Sequence, residues 1–269
     1  MLKGTRIISP GCGSWPRLPC LSLQSCEVLT NINVVHATVL EVATQRIEDG
    51  CRVAAVSAAS AYHCGGGFLS GGRHALEEAF CVQSTLYASL EHVENSLSDG
   101  FPAPSHASPV KTHDGRNWHM HIPEDGVVLS PCVEIFRSGT NSGYVFQECA
   151  TVVDAVISVA MPNCNEGMSD SPVDAHSDAD AYMGQLEQKW RAVLAAAACY
   201  TAATCLVVPD AGCGVFRNPP SQVGQALGHV LKREFAGRFD EVVIAFPGGD
   251  LGEQFASAVR RWSGQPSDV

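Results

Sequence analysis

Apolar runs of strand length alternate with amphipathic helical segments along most of this chain of 269 residues. Alternation of this kind is typical of α/β domains, in which helices cover the faces of a sheet. Because 45 % of the residues are hydrophobic, the chain can bury a sizeable core. We therefore expect one α/β domain with a mixed or mostly parallel sheet. The expected strands lie at 52–58, within 126–131, within 150–162, from 204 onward and at 241–247.

Helices are expected between these strands. Thr38 is a candidate N-cap for a first helix that Gly50 ends, and a second helix is expected from Arg73 to His92. Pro220 or Ser221 can begin a later helix. A long helix before it has apolar residues on one face, namely Leu186, Trp190, Val193, Leu194 and Ala197.

Two polar stretches interrupt the alternation. Four prolines between residues 97 and 126 predict a long loop, and the acid-rich stretch 165–180 predicts a solvated linker. The first 26 residues carry basic side chains and no acid, which suits either an organelle-targeting segment or a poorly ordered surface extension. We divide the chain into an N-terminal extension (1–33) and one folded domain (34–269).

The charge and the cysteines exclude several classes of protein. The net charge of −11 argues against a protein that tracks along a polyanion, although a small pocket could still bind one or two phosphates through backbone amides. No apolar run is long enough to span a membrane. The twelve cysteines form no CxxC pair and no zinc-ligand pattern, so we expect reduced thiols in a cytoplasmic or nuclear protein.

Two glycine-rich loops follow expected strands. The first glycine loop (65–72) contains Gly65, Gly66 and Gly67, and the second glycine loop (211–216) contains Gly212 and Gly214. A glycine-rich loop between a strand and a helix can offer free N–H groups to a phosphate, so the two loops could clamp one diphosphate; each could also be only a tight turn. Neither loop fits the Walker or the dinucleotide fingerprint.

Glu77 and Glu78 follow the first glycine loop, at the start of a helix. Acids are common in a first turn, because the helix dipole favours negative charge there. Alternatively, one carboxyl faces a pocket and acts as general acid and base in glycosidic cleavage. The helix terminus favours the ionised carboxylate, whereas desolvation and a nearby diphosphate favour the protonated acid.

The stretch GGGFLSGGRHALEEAFCVQSTLY (65–87) resembles the signature of the poly(ADP-ribose) glycohydrolases, in which three glycines precede Gln-Glu-Glu by six to eight residues. It is most similar to the microbial-type family. Four further segments are similar to that family in the expected order, so the resemblance covers about residues 34–260. They are VLEVATQRIEDGCRVAAVSAAS (39–60), VVLSPCVEIFR (127–137), ISVAMPN (157–163) and AGCGVFRNPP (211–220).

The resemblance implies a macrodomain-like three-layer α/β/α sandwich with a mixed central sheet. It also implies hydrolysis of the ribose–ribose bonds of poly(ADP-ribose), mainly from chain ends, without a metal or redox cofactor. By the match, Glu78 is the general acid and base, and Glu77 helps to orient the distal ribose. The residues expected to bind the ligand are Ser57, Gly65, Gly66, Gly67, Gly212, Cys213, Gly214, Val215, Phe216 (against the sugar) and Phe246 (near the adenine). The expected partner is ADP-ribose or poly(ADP-ribose) on modified proteins, bound by a monomer that contacts neither DNA nor a membrane.

This chain departs from the family pattern at three places. Leu76 replaces the glutamine of the triplet, Ser57 replaces an asparagine, and His63–Cys64 replaces Asn-Pro. His63 could act as a donor in place of asparagine or simply cap the loop. These departures keep two alternatives open, an ADP-ribose reader without turnover and a hydrolase of mono-ADP-ribosylated protein.

Histidines in the long loop have spacing that suits zinc, but no carboxylate or cysteine stands at a recognisable interval from them. We therefore expect no metal site at His106, His113, His119 and His121. Asp174, His176, Asp178 and Asp180 are interpreted as part of the solvated acidic linker.

Overall fold

The computed structural model describes residues 2–10, 30–73, 75–108 and 119–265. Nine strands and six α-helices alternate along this part of the chain. The strands are β1 Arg6–Ile8, β2 Asn31–Val35, β3 Val53–Ala58, β4 Phe101–Pro102, β5 His119–Met120, β6 Val127–Arg137, β7 Phe146–Val159, β8 Cys205–Val208 and β9 Glu241–Ala245. The helices are α1 Val39–Glu48, α2 Leu76–Gln83, α3 Leu86–Ser96, α4 Ala179–Tyr200, α5 Pro220–Glu234 and α6 Asp250–Ser263.

Seven strands form one mixed sheet in the order β1-β6-β7-β3-β8-β9-β2. The five strands from β7 to β2 are parallel, whereas β6 is antiparallel to both of its neighbours. Buried aliphatic residues such as Val53 and Val56 fill the central strand β3, as expected for a strand covered on both faces. The carboxyl ends of β7, β3 and β8 therefore meet at one edge of the sheet, where ligands of open α/β sheets bind.

Helices cover both faces of this sheet. On one face, α4, α5 and α6 bury a core in which the rings of Trp190 and Phe255 stack with centroids 6.1 Å apart. On the other face, α1, α2 and α3 bury Phe80, Leu86 and Leu90. Each of these large side chains stabilises the fold by about 1.5–3 kcal/mol through burial. The predicted three-layer α/β/α sandwich with a mixed sheet is confirmed.

Local sequence signals set several helix ends. Thr38 accepts a hydrogen bond from the Glu41 amide, and the Glu41 carboxylate accepts one from the Thr38 amide, so the predicted N-cap is part of a capping box. α5 begins at Pro220, as predicted. The predicted apolar face of α4 is buried against the sheet.

The single helix predicted from Arg73 to His92 is wrong. The chain leaves the helical conformation at Ser84, which forms an isolated bridge with Ile135 of β6. The Thr85 amide donates to the Glu134 carbonyl at 3.0 Å, and the Thr85 hydroxyl accepts from the Glu134 amide at 3.0 Å. These contacts with β6 separate α2 from α3.

The N-terminal division also needs correction. Residues Arg6–Ile8 pair with β6 as an edge strand, and Ile8 is fully buried. The predicted boundary between residues 33 and 34 falls inside β2, which pairs with β9. Because these strands complete the sheet, the described parts of the first 33 residues belong to the domain rather than to a surface extension.

The predicted long loop at 97–126 contains a short antiparallel pair, in which Phe101 lies opposite Met120. Within the described residues, no helix has both the length and the apolar character needed to cross a membrane. All nine cysteines that the structure describes are free thiols.

Candidate active site

A cleft of about 370 Å³ opens at the carboxyl ends of β3, β7 and β8. One wall is formed by the first glycine loop and the start of α2. The opposite wall is the second glycine loop, and a third side is contributed by residues 161–171 after β7. Three chain segments that are distant in sequence therefore surround one ligand-sized space.

The two glutamates at the start of α2 are held by backbone amides. The Gly65 amide donates to Glu77 Oε1 at 3.0 Å, and the Ser60 amide donates to Glu77 Oε2 at 2.7 Å. The Gly67 amide donates to Glu78 Oε1 at 2.8 Å. α2 has no side-chain cap at Ala75. Both carboxyl groups thus turn back from the first helical turn onto the loop before it.

Glycine is required in this loop for a steric reason. Gly66 has a φ of +57°, and a Cβ placed there would lie 2.6 Å from Glu78 Oε1 and 3.3 Å from Glu77 Oε2. Gly65 has a φ of +75°, and a Cβ there would lie 2.8 Å from the ring of Tyr87. The loop therefore packs too closely to leave room for a side chain at Gly65 or Gly66.

The environments of the two glutamates differ. Glu77 is 3 % exposed, and its burial raises its pKa to about 8; the charge of Glu78 adds to the shift and the two amide hydrogen bonds oppose it. Glu78 is less buried and lines the cleft. Its Oε2 is shielded from solvent and makes no hydrogen bond to any residue that the structure describes. Glu78 consequently has one anchored oxygen and one uncommitted oxygen.

The second glycine loop uses its amides differently. The amides of Gly212, Gly214, Val215 and Phe216 donate no hydrogen bond to a described residue. The loop is instead held through its carbonyls: the Cys164 amide donates to Phe216 O at 3.0 Å. Because its N–H groups stay uncommitted at the cleft wall, this loop can bind an anion.

Side-chain amides complete the support of the second glycine loop. Asn165 Nδ2 donates to Val215 O at 2.9 Å, and Asn218 Nδ2 donates to Gly212 O at 2.9 Å. The Tyr182 hydroxyl in turn donates to Asn218 Oδ1 at 2.6 Å. These hydrogen bonds fix the loop before any ligand arrives, which lowers the entropy cost of binding.

The expected diphosphate clamp made of both loops is therefore corrected. The amides of Gly65 and Gly67 already bind Glu77 and Glu78, and the Gly66 amide donates to the His63 carbonyl at 3.0 Å. The first glycine loop holds carboxyl groups, and the second is the loop with amides available for a phosphate.

Eight of the twelve predicted site residues line the cleft: Gly66, Gly67, Glu77, Glu78, Gly212, Gly214, Val215 and Phe216. The other four do not. Ser57 is fully buried inside β3, and Gly65 lies behind Gly66, against Tyr87. Cys213 is buried, with its thiol pKa raised by desolvation. Phe246 is 2 % exposed, with its ring centroid 5.0 Å from that of His36, so it packs in the core instead of facing the predicted adenine.

Sequence reasoning missed the contribution of residues 161–171. Met161, Met168 and Asp170 line the cleft, although Met168 and Asp170 fall within the predicted solvated linker. The linker interpretation is wrong, because Asp174 is buried and accepts hydrogen bonds from the Tyr62 hydroxyl and the Asn163 amide. The available signal was the pair of asparagines, Asn163 and Asn165, that stands a few residues after the end of β7.

Asp210 is a second missed residue. It lines the cleft directly before the second glycine loop, and burial raises its pKa to about 6. His63 also lines the cleft, with Nε2 2.6 Å from the Asp170 carbonyl oxygen. This contact joins the loop after β3 to the segment after β7 and favours the role of His63 as a loop cap.

Of the histidines considered for a metal site, His106 lies in a cluster of possible metal ligands. His113 lies outside the described residues, His119 is exposed, and His121 is buried with its pKa lowered to about 4 by desolvation. His106 and His176 stack with ring centroids 3.6 Å apart, and Glu124 lies 4.0 Å from His106. One candidate ligand atom from each of His106, His176 and Glu124 lies within 4.8 Å of the others, so this cluster could hold a metal ion, contrary to the expectation at His106.

This chain is similar to known proteins in both sequence and structure. Residues 1–138 match the family model of the microbial-type PARG catalytic domain. A search of curated proteins found no match. Among solved structures, poly(ADP-ribose) glycohydrolase from Thermomonospora curvata superposes with a TM-score of 0.70 and 29 % identity, covering 97 % of this chain and 86 % of that chain.

Two ligand-bound structures are similar to the same extent. The Thermomonospora curvata enzyme bound to the inhibitor ADP-HPD has a TM-score of 0.69 and 29 % identity, over 97 % of this chain and 85 % of that one. The Deinococcus radiodurans enzyme in complex with ADP-ribose has a TM-score of 0.69 and 28 % identity, over 97 % and 95 %. The predicted family resemblance is confirmed: this chain belongs to the microbial-type poly(ADP-ribose) glycohydrolase (PARG) catalytic-domain family.

Proposed function

We propose that this protein hydrolyses the ribose–ribose glycosidic bonds of poly(ADP-ribose) and releases ADP-ribose mainly from chain ends, with Glu78 as general acid and base. The observation that carries the proposal is the position of Glu78 across the cleft from four uncommitted amides of the second glycine loop. A diphosphate bound by that loop would anchor the sugar beside the carboxyl group.

The proposed reaction uses one carboxyl group twice. Glu78 gives its proton to the oxygen of the leaving ribose as the bond from that oxygen to the anomeric carbon breaks. A water molecule then attacks the anomeric carbon, and its proton passes to the Glu78 carboxylate, which restores the acid. In this cycle the Gly67 amide, which donates to Oε1, keeps the Glu78 carboxyl group in place.

Glu77 acts in this proposal by positioning. Both of its oxygens accept backbone amides, from Ser60 and from Gly65, so the direct contact with the distal ribose expected from the sequence is replaced by support of the loop. Phe216 lines the cleft at the second glycine loop, where its ring can pack against the bound sugar.

Preference for chain ends is supported by charge and size. A net charge of −11 opposes tracking along a polyanion, and a cleft of about 370 Å³ suits a single terminal unit. No metal or redox cofactor has a role in the proposed reaction, because the carboxyl group supplies both proton transfers.

The test compares wild type with Glu78→Gln on an automodified, poly(ADP-ribosyl)ated acceptor. Loss of the proton donor should lower the rate of ADP-ribose release by about 10²–10⁴-fold, while the affinity for free ADP-ribose should change little. Glu48→Gln is the matched control, because it removes the same charge at the exposed end of α1.

Other outcomes identify the alternatives. Tight ADP-ribose binding without turnover by the wild type would replace the hydrolase with a reader, which needs no acid at residue 78. Release from mono-modified acceptors alone would make the protein a mono-ADP-ribosyl hydrolase.

A further inference from the structure

A second cavity, of about 330 Å³, adjoins the cleft. The first glycine loop is a shared wall: Gly66 and Gly67 line the cleft, whereas Gly71 and Gly72 line the second cavity. The separation is thin, because a Cβ at Gly72 would lie 3.2 Å from Glu78 Cγ and 2.8 Å from the Gly67 oxygen. The first glycine loop and the side chain of Glu78 therefore separate the second cavity from the cleft.

The second cavity is basic in an otherwise acidic protein. Arg73 and Arg137 line it, and none of the described residues around it is acidic. Neither guanidinium has a carboxylate within 4.0 Å among the residues that the structure describes. The Nε of Arg137 is also shielded from solvent without a hydrogen bond to a described residue. Arg73 is exposed and Arg137 is partly buried, and guanidinium groups without a carboxylate partner are suited to binding phosphate oxygens.

The surrounding residues hold this arrangement in place. The Arg137 guanidinium lies over the ring of Phe146, 4.2 Å from its centroid. The Tyr144 hydroxyl donates to the Arg73 carbonyl at 2.8 Å and contacts the Thr140 hydroxyl at 2.8 Å. Tyr144 has a φ of +58°, a conformation that costs a non-glycine residue about 1 kcal/mol or more. The backbone is thus strained at Tyr144, the residue whose hydroxyl contacts the Arg73 carbonyl.

We propose that the second cavity binds the 5′-diphosphate of the penultimate ADP-ribose unit, the unit that leaves when the terminal bond is cut. This inference rests on the proposed function. The acid that protonates the leaving oxygen must lie between the two units. In the proposed complex, the second glycine loop would hold the terminal diphosphate in the cleft that Glu78 lines, and Arg73 with Arg137 line the cavity beyond the first glycine loop.

This subsite has a consequence for substrate choice. A polymer presents a second diphosphate beyond the cut bond, whereas a mono-ADP-ribosylated protein presents only its acceptor side chain. The two arginines therefore favour poly(ADP-ribose) over mono-modified protein by a charge interaction that weakens with salt.

The test measures binding without turnover, in the Glu78→Gln background. Calorimetry gives the Kd of the ADP-ribose dimer and of ADP-ribose monomer in low salt. The dimer should bind about 10-fold more tightly, and the added substitutions Arg73→Gln and Arg137→Gln should bring the two Kd values within about 2-fold. Arg233→Gln is the matched control, since it removes an exposed arginine near the far end of α5 and should keep the 10-fold ratio.

The outcomes separate the subsite from the enzyme activity. Equal Kd values for dimer and monomer in Glu78→Gln, or an unchanged ratio in the arginine variant with an unchanged melting temperature, would overturn the subsite. A dimer preference that depends on the two arginines, together with no ADP-ribose release by the wild type, would overturn the glycohydrolase and keep the subsite.

Discussion

The two glycine loops are similar in composition, but their backbone amides differ in whether they already have a hydrogen-bond partner. In the first glycine loop, the amides of Gly65 and Gly67 bind the carboxyl groups of Glu77 and Glu78. In the second, the amides of Gly214 and its neighbours remain uncommitted at the cleft wall. The first glycine loop thus orients the protein's own acids, whereas the second leaves amides available for an anion. Substitutions in the two loops should accordingly fail in different ways.

Among substitutions in the two glycine loops, the largest effect is expected for Gly66→Ala. Its Cβ would lie 2.6 Å from Glu78 Oε1, at a φ of +57° that disfavours alanine. The displaced carboxyl should lower kcat by at least about 100-fold, and the free energy of unfolding should fall by about 1–3 kcal/mol. Steady-state kinetics and urea denaturation measure the two effects.

Gly50→Ala is the control for backbone strain alone. Gly50 has a φ of +88°, and no atom lies within 4 Å of the position that its Cβ would take. It should lose stability and keep its kcat. Equal kcat values for the two variants would mean that the first glycine loop does not position the acid.

A smaller effect is expected for Gly214→Ala, which should weaken ligand binding and leave the stability of the protein unchanged. No atom lies within 4 Å of the position of its Cβ, so the unliganded protein should keep its stability. Gly214 lines the cleft, however, and a methyl group there would obstruct a diphosphate that approaches the backbone. The Kd for ADP-ribose should rise about 10-fold, by calorimetry, with an unchanged melting temperature. An unchanged Kd would place the diphosphate elsewhere.

The smallest effect is expected from pH. Burial raises the pKa of Asp210 to about 6, so this carboxyl gains its negative charge as the pH rises through about 6. Since Asp210 adjoins the second glycine loop, its charge should repel the diphosphate. The affinity for ADP-ribose should therefore increase several-fold from pH 7.5 to pH 5.5. Asp210→Asn should bind more tightly at pH 7.5 and show a flatter profile; a profile as steep as that of the wild type would assign the titration to another group.

The sequence pattern was sufficient for the α/β class, and the family resemblance added the three layers and the residues at the start of α2. Buried strands and amphipathic helices carry their own periodicity, so the α/β class followed from Val53–Ala58 and similar runs. The break between α2 and α3 was missed, because it depends on the contact of Ser84 with Ile135, which is 51 positions away in the chain. A local sequence pattern contains no information on a contact between residues that are so far apart in the chain.

The sequence predicted which residues line the site better than it predicted their hydrogen bonds. Glu78 and Gly214 face one cleft, as expected. Which amides are already bonded depends on the directions of Glu77 and Glu78 after folding, and those directions are not encoded in spacing. Phe246 failed as a ligand residue because α6 covers it: a Cβ at Gly252 would overlap its ring. Leu76 lines the cleft beside two carboxyl groups that the backbone already orients, so their hydrogen bonds do not depend on the glutamine that it replaces.

Because the helix is interrupted at Ser84 and Thr85, the orientation of α2 does not depend on the packing of α3. In one continuous helix of some twenty residues, the packing of the last turns would dictate the tilt of the first. Here the eight residues of α2 are fastened at one end to β6 and at the other to a glycine cradle. Changes of sequence in α3 can therefore accumulate without tilting the Glu78 carboxyl group that lines the cleft.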